Sequence, residues 1–302
     1  MIGFDMRFTV QLAQGHPINL VEITSDETTA YPHMIEDLYT QKTSAVIVKN
    51  IFSQAELEPI VKQLHSSQCD ALWQSPNEGM PGGALRTIGE AATPSFTAFT
   101  GPTRDTYLNN SQQWEEIQSV ILQHTSCRPQ QRLSTIFSQL FDHKPAQAPL
   151  FIDADSSTHD HQASWLPFNY RMLTTHTQIY SHHDQHYKLP IYKHMSHEYD
   201  RSTILSWFVV LQPALSGGLL KLYGLWGSDP DLPMLPTRFI DTEAVEQKYH
   251  QATLNLVAGD LVIFDSGHHV HRVSAVEQQQ ARITLGGFMT LSQTRDRLAF
   301  WS

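Results

Sequence analysis

The feature that most constrains the fold is a series of apolar, β-branched runs in the second half of the chain. They lie at 168–180, 203–211 ("TILSWFVVL"), 217–224 ("GGLLKLYG"), 259–265 ("GDLVIFD") and 282–291 ("RITLGGFMTL"). Turn residues separate them, among them "SGG", "AGD" and "DSG". Short apolar runs bounded in this way read as strands. A set of such strands predicts a sandwich or barrel of jelly-roll type.

The first half reads differently. "SAVIVKNIF" (44–52) is a strand candidate, and "SQAELEPIVKQLH" (53–65) follows it. There Leu57, Ile60, Val61 and Leu64 fall on one helical face, and Ser53 with Glu56 forms a capping-box pattern. Pro59 removes a helical hydrogen bond, which predicts a helix that begins later. Residues 74–110 are rich in Gly, Pro, Ser, Thr and Asn and read as a long loop. Helices are expected at 111–124 and at 129–141, the second with Pro129 at its first position. Helices first and strands after make an α+β protein. One domain is expected over 1–302: a mainly helical flanking part (1–150) and a strand-rich core (151–302). The segment 225–252 interrupts the strands and contains a short helix candidate, "DTEAVEQKYH"; it is a candidate lid.

Composition narrows the function. The formal charge of −10 argues against general nucleic-acid binding. No apolar run is long enough for a membrane span, and the first residues lack a secretory pattern. With only Cys69 and Cys127, a disulfide scaffold is not expected and the cytoplasm is the default. Of the 17 histidines, nine fall in 176–197 and 268–271. Surface composition accounts for most of the 17. Histidine is nevertheless the commonest metal ligand, so the two clusters hold the candidates.

In "QIYSHHDQHYKLP" (178–190), His182 and Asp184 are two residues apart. On an extended strand they face the same side, and His183 faces the other. In "GDLVIFDSGHHVHRV", a strand and a turn lead to His271, and Arg282 lies eleven residues beyond it. Two histidines and one carboxylate, with coordination positions left open, are the ligand set of non-haem Fe(II) oxygenases. Two open positions suit a bidentate keto-acid and one suits O2. A guanidinium binds a carboxylate through two parallel hydrogen bonds, which suits Arg282 to the far end of that acid. Thr284 faces the same side of its strand and adds a hydroxyl donor. His269 rivals His271, since it shares the strand face if 268–272 is extended.

The order His-x-Asp, "SGGLLKLYG", "GDLVIF", "HRV" and Arg-x-Thr resembles the 2-oxoglutarate/Fe(II) dioxygenase superfamily, whose members have a double-stranded β-helix (jelly-roll, cupin-like) core. More narrowly, "YPHMIEDLYTQKTSAVIVKNIF" (31–52), the stretch from 166 to 226 and "RITLGGFMTLSQTRDRLAFWS" (282–302) resemble the carrier-independent halogenases of hapalindole-type alkaloid pathways. The resemblance covers residues 31–302 and thins at 74–160.

The resemblance implies His182, Asp184 and His271 as iron ligands, and Arg282 with Thr284 as the site for 2-oxoglutarate. It favours His271 over His269 through the "HRV" context. It further implies oxidation of a free small molecule, of the natural-product kind, coupled to decarboxylation of 2-oxoglutarate to succinate and CO2. One departure bears on the reaction. Those halogenases carry Gly where this chain has Asp184, and losing that carboxylate opens a place for chloride. Asp184 fills the place, so hydroxylation is expected. Leu219 also departs from an acidic residue frequent in related enzymes. The alternatives are a zinc- or manganese-dependent hydrolase or isomerase on a similar barrel, or a non-catalytic metal- or ligand-binding protein. The first leaves Arg282 and Thr284 unexplained, and a complete triad with an anion clamp counts against the second.

Overall fold

The computed structural model describes residues 14–75, 85–89, 102–152, 163–184, 187 and 189–302. Within them the first half carries β1 (Leu20–Thr24), α1 (Met34–Tyr39), β2 (Ala45–Lys49), α2 (Gln54–Leu64), α3 (Ser67–Asp70), β3 (Arg86–Ile88), α4 (Pro102–Gln112), α5 (Trp114–Ile121), α6 (Pro129–Gln139) and β4 (Ala146–Gln147). The second half carries β5 (Asn169–Leu173), β6 (Ile179–His182), β7 (Leu205–Gln212), β8 (Leu220–Trp226), α7 (Thr242–Lys248), β9 (Gln251–Leu254), β10 (Leu261–Phe264), β11 (His269–Val273), β12 (Arg282–Leu291) and β13 (Leu298–Trp301). No helix among the described residues is long and apolar enough to cross a membrane.

Among the described residues the strands form two sheets, one mixed and one antiparallel, and no closed barrel. The larger has nine strands, in the order β1-β2-β10-β7-β12-β13-β4, with β5 on β12 and β3 on β5. The smaller has four, in the order β6-β11-β8-β9. Pleating explains how the larger sheet buries both faces. Phe208 and Val210 of β7, Val262 and Phe264 of β10, and Ala45 and Ile47 of β2 pack against Leu220, Leu222, Leu254 and Val273 of the smaller sheet. Their neighbours Val209, Leu211, Ile263 and Val46 point to the opposite side, where Leu57, Ile60, Leu133 and Phe137 of the helices cover them. A strand buried on both faces needs apolar residues at every position, which is why "LSWFVVLQ" reads as a continuous run.

Several expectations are corrected. The helix over 53–65 does not start late: α2 begins at Gln54. Ser53 Oγ accepts from the Glu56 amide at 3.3 Å, and the Ser53 amide donates to Glu56 Oε2 at 2.8 Å. The capping box and the burial of Leu57, Ile60 and Leu64 offset the hydrogen bond lost at Pro59. The strand expected over 168–180 is two strands, β5 and β6, on different sheets. The reversal contains no Gly or Pro; His176 takes the left-handed conformation at φ 65°. Helix α4 lies partly in the stretch read as loop. Its apolar residues make no stripe, yet buried Tyr107 anchors it, donating to Ser302 O and accepting from the Leu166 amide, both at 3.0 Å. The helix expected at 111–124 is shorter, α5. The rest of the expected loop, 76–84 and 90–101, lies outside the described residues, as does His186.

Candidate metal centre

Strands β6 and β11 are antiparallel neighbours in the smaller sheet, and their register sets His182 directly opposite His271. That pairing brings together two residues far apart in sequence. Asp184 follows the end of β6, where its amide donates to Ser266 O at 2.8 Å. His182, Asp184 and His271 each offer one ligand atom, all within 4.8 Å of one another. His182 Nε2 lies 3.6 Å from Asp184 Oδ1, and His271 Nε2 lies 3.8 Å from Asp184 Oδ2.

The backbone fixes the form of both imidazoles. His182 Nδ1 lies 2.7 Å from Tyr180 O, and His271 Nδ1 lies 3.0 Å from His269 O. A carbonyl only accepts, so each Nδ1 carries the proton and each Nε2 lone pair is left for a metal. Burial, reinforced by neighbouring His182, pushes the pKa of His271 down to about 3. The ring is therefore neutral near pH 7, as a metal ligand must be. Ser206 Oγ donates to Asp184 Oδ2 at 2.6 Å and orients the carboxylate. Side-chain exposure is 38% for His182 against 6% for His271 and 4% for Asp184. The centre therefore opens to solvent beside His182. The donor set and the orientation of the lone pairs fit a divalent first-row metal.

Five of the other clustered histidines have different surroundings. The ring of His183 lies where any side chain at position 227 would sit, 2.2 Å from the place of a Cβ on Gly227. His269 Nδ1 donates to Tyr223 O at 3.0 Å, and the β8–β11 register shifts between His269 and His271. His268 pairs with Asp265 at 2.9 Å. His194 stacks on Phe151. His176 sits in the β5–β6 turn, where its amide donates to Val276 O.

Arg282 and Thr284 begin β12 and are both buried. They face the space between the sheets, whereas Ile283 and Leu285 belong to the helix-side core. The Arg282 guanidinium stands over the ring of Phe208, 4.8 Å from its centre. Burial, with Arg171 nearby, brings its pKa down to about 10, so it stays charged at neutral pH. Gly218, at φ +64°, leaves room for it: a Cβ there would lie 3.0 Å from Arg282 Cδ. The Gly286–Gly287 pair permits close strand packing, against Phe208 and the Trp301 carbonyl. Trp207 belongs to the helix-side core, while Phe208 lies beneath Arg282.

Two polar residues escaped the sequence reading, Ser206 and Arg171. Their signal was present: each interrupts an otherwise apolar strand, in "LSWFVVLQ" and "NYRML".

The family described as carrier-protein-independent halogenase WelO5 matches residues 17–302. The chain belongs to this halogenase family. The match spans the helical layer and both sheets. No curated protein matches at a significant level. Among solved structures, an N-substituted L-amino acid dioxygenase from Burkholderia ambifaria AMMD, in complex with alpha-KG, is similar with a TM-score of 0.52. It is 15% identical, over 88% of this chain and 90% of that one. The non-heme alpha ketoglutarate dependent epimerase SnoN from nogalamycin biosynthesis is 12% identical, over 92% and 85%, with a TM-score of 0.48. The first likeness is one of fold. The Asp184 carboxylate distinguishes this chain from the halogenases that its sequence resembles.

Proposed function

We propose that this member of the halogenase family is an Fe(II)/2-oxoglutarate-dependent oxygenase that hydroxylates, or otherwise oxidises a C–H bond of, a free small molecule. Its cofactors are iron(II) and 2-oxoglutarate, with O2 as co-substrate. When bound, they supply an oxidant for the substrate as 2-oxoglutarate is converted to succinate and CO2.

The observation that carries this reading is the Asp184 carboxylate, held between His182 and His271 and fixed by Ser206. With it in place the protein supplies three ligands, and the position a halide would need is taken. Arg282 and Thr284 are suited to hold the far carboxylate of 2-oxoglutarate, because a buried guanidinium requires an anion. A hydrolase or isomerase reading gives these two residues nothing to bind. Phe208 and the surrounding inter-sheet core keep water from that end of the site.

The strand order supports a double-stranded β-helix for β5–β12. In chain order β5, β7, β10 and β12 lie in the larger sheet, and β6, β8, β9 and β11 in the smaller. The helices share a core with that sheet, which supports a single oxygenase domain. Of the 225–252 segment, β9 is a strand of the smaller sheet, and Ile240 and Val245 are buried against it. The part left as a candidate lid is therefore 227–239, with Leu232 packed onto the same cluster. We place the enzyme in the cytoplasm, consistent with its free cysteines.

The test is turnover of a small-molecule library with Fe(II), 2-oxoglutarate and chloride, followed by mass spectrometry. The expected products gain one oxygen, or lose two hydrogens, with succinate formed in step. In Asp184→Gly this oxidation is lost, by more than tenfold, while the protein stays folded. A chlorinated product from the unaltered protein, or full oxidation by Asp184→Gly, would overturn the reading.

A further inference from the structure

Arg171 lies at the centre of β5, and no carboxylate forms an ion pair with it or with Arg282 among the described residues. Its register partners are Thr87 on β3 and Thr284 on β12. Leu173, two residues along, belongs to the inter-sheet core, so Arg171 faces the same space as Arg282. Its Nε donates to Asn169 Oδ1 at 3.0 Å. Thr87 and Asn169 are fully buried, and Thr87 Oγ1 and Asn169 Nδ2 have no hydrogen-bond partner among the described residues. Buried polar atoms are rarely left so unless a ligand or water meets them.

The register sets the two guanidiniums at different heights. Arg282 stands over Phe208, which pairs with Gly286. Arg171 stands over Phe288, 5.8 Å from its centre, and Phe288 pairs with Ser206. Ser206 is the residue that holds Asp184. The two rows are two residues apart along the strand, roughly 7 Å. Burial lowers the pKa of both arginines; at Arg171 the Asp184 carboxylate opposes that, whereas the charged neighbour of Arg282 is Arg171 itself. The order along the cleft is therefore metal centre, Arg171, Arg282. A five-carbon dicarboxylate carries its two negative ends in that order.

We infer that Arg171 is a second positioning arginine, holding the metal-side carboxylate of the 2-oxo acid while Arg282 holds the far one. This rests on the oxygenase reading above. The planar fork of a guanidinium suits each carboxylate.

Anaerobic titration of the Fe(II)-loaded protein with two acids separates the roles. 2-Oxoglutarate has both carboxylates; 2-oxopentanoate has the same carbon chain and only the metal-side one. Arg171→Gln is expected to raise Kd for both acids by a similar factor, roughly 10- to 100-fold. Arg282→Met is expected to raise Kd for 2-oxoglutarate alone. Should Arg171→Gln fail to fold, Arg171→Lys keeps the charge, loses the fork and is expected to show a smaller but still common factor. Unchanged affinity for both acids in a folded Arg171 variant would overturn the inference, and so would a loss confined to 2-oxoglutarate. Failure of the unaltered protein to bind either acid would instead overturn the oxygenase reading, and this inference with it.

Discussion

Strand alternation puts His182 and Asp184 on one side of the run and His183 on the other, because residues two apart share a face; Asp184 itself follows the end of β6. The ring of His183 is packed onto Gly227. The resemblance favoured His271 over His269; the pairing of β11 with β6 supplies the physical reason, and no single stretch of sequence contains it. Ser206 stands out as a polar residue in an apolar run, but its role was not legible, because that depends on where the end of β6 meets β7. Its hydrogen bond to Asp184 predicts that Ser206→Ala lowers Fe(II) affinity by roughly 10- to 100-fold. Metal titration of the variant beside the unaltered protein checks this. Equal affinities would show that the carboxylate needs no such support.

Elements with a periodic apolar pattern were legible, and those without one were not. Helix α6 and strands β2, β7 and β12 fall within a few residues of their expected places, since each buries a regular face. Helix α4 was hidden because one buried tyrosine, rather than a stripe, holds it down. The β5–β6 reversal was hidden because His176 makes the turn without a glycine. The turn before β8 shows the opposite economy, where Gly217 and Gly218 both have positive φ. Alanine at 218 would be strained in that conformation and would press on the Arg282 stem. Gly218→Ala is therefore expected to weaken 2-oxoglutarate binding severalfold while the variant remains folded. Binding titration and thermal melting together check this; unaltered binding would show that the Arg282 stem shifts freely.

At the scale of the molecule, the helical layer is tied together by the contact between Glu56 of α2 and Arg132 of α6, at 2.7 Å. That hydrogen bond holds the Glu56 carboxyl down to about 2, below its ordinary value of 4.5. A depressed carboxylate contributes stability above the unfolded pKa and loses it as pH falls through the folded one. Its contribution is therefore complete above pH 4.5 and disappears towards pH 2. Glu56→Gln is expected to lower the melting temperature at pH 7 and to flatten its fall over that acid range. Melting curves of both proteins from pH 7 to 2 check this; parallel curves would assign the acid limb to other groups. The effect is modest, because both side chains are about a third exposed. The register of β6 with β11 has a consequence for the order of folding. His182 and His271 come from β6 and β11, strands far apart in the sequence, and β6 is an edge strand joined to its sheet through β11. Such a contact is non-local, and forming it closes a long loop. A nascent chain cannot assemble the site until β11 has been made, and a fragment ending before His271 lacks it altogether.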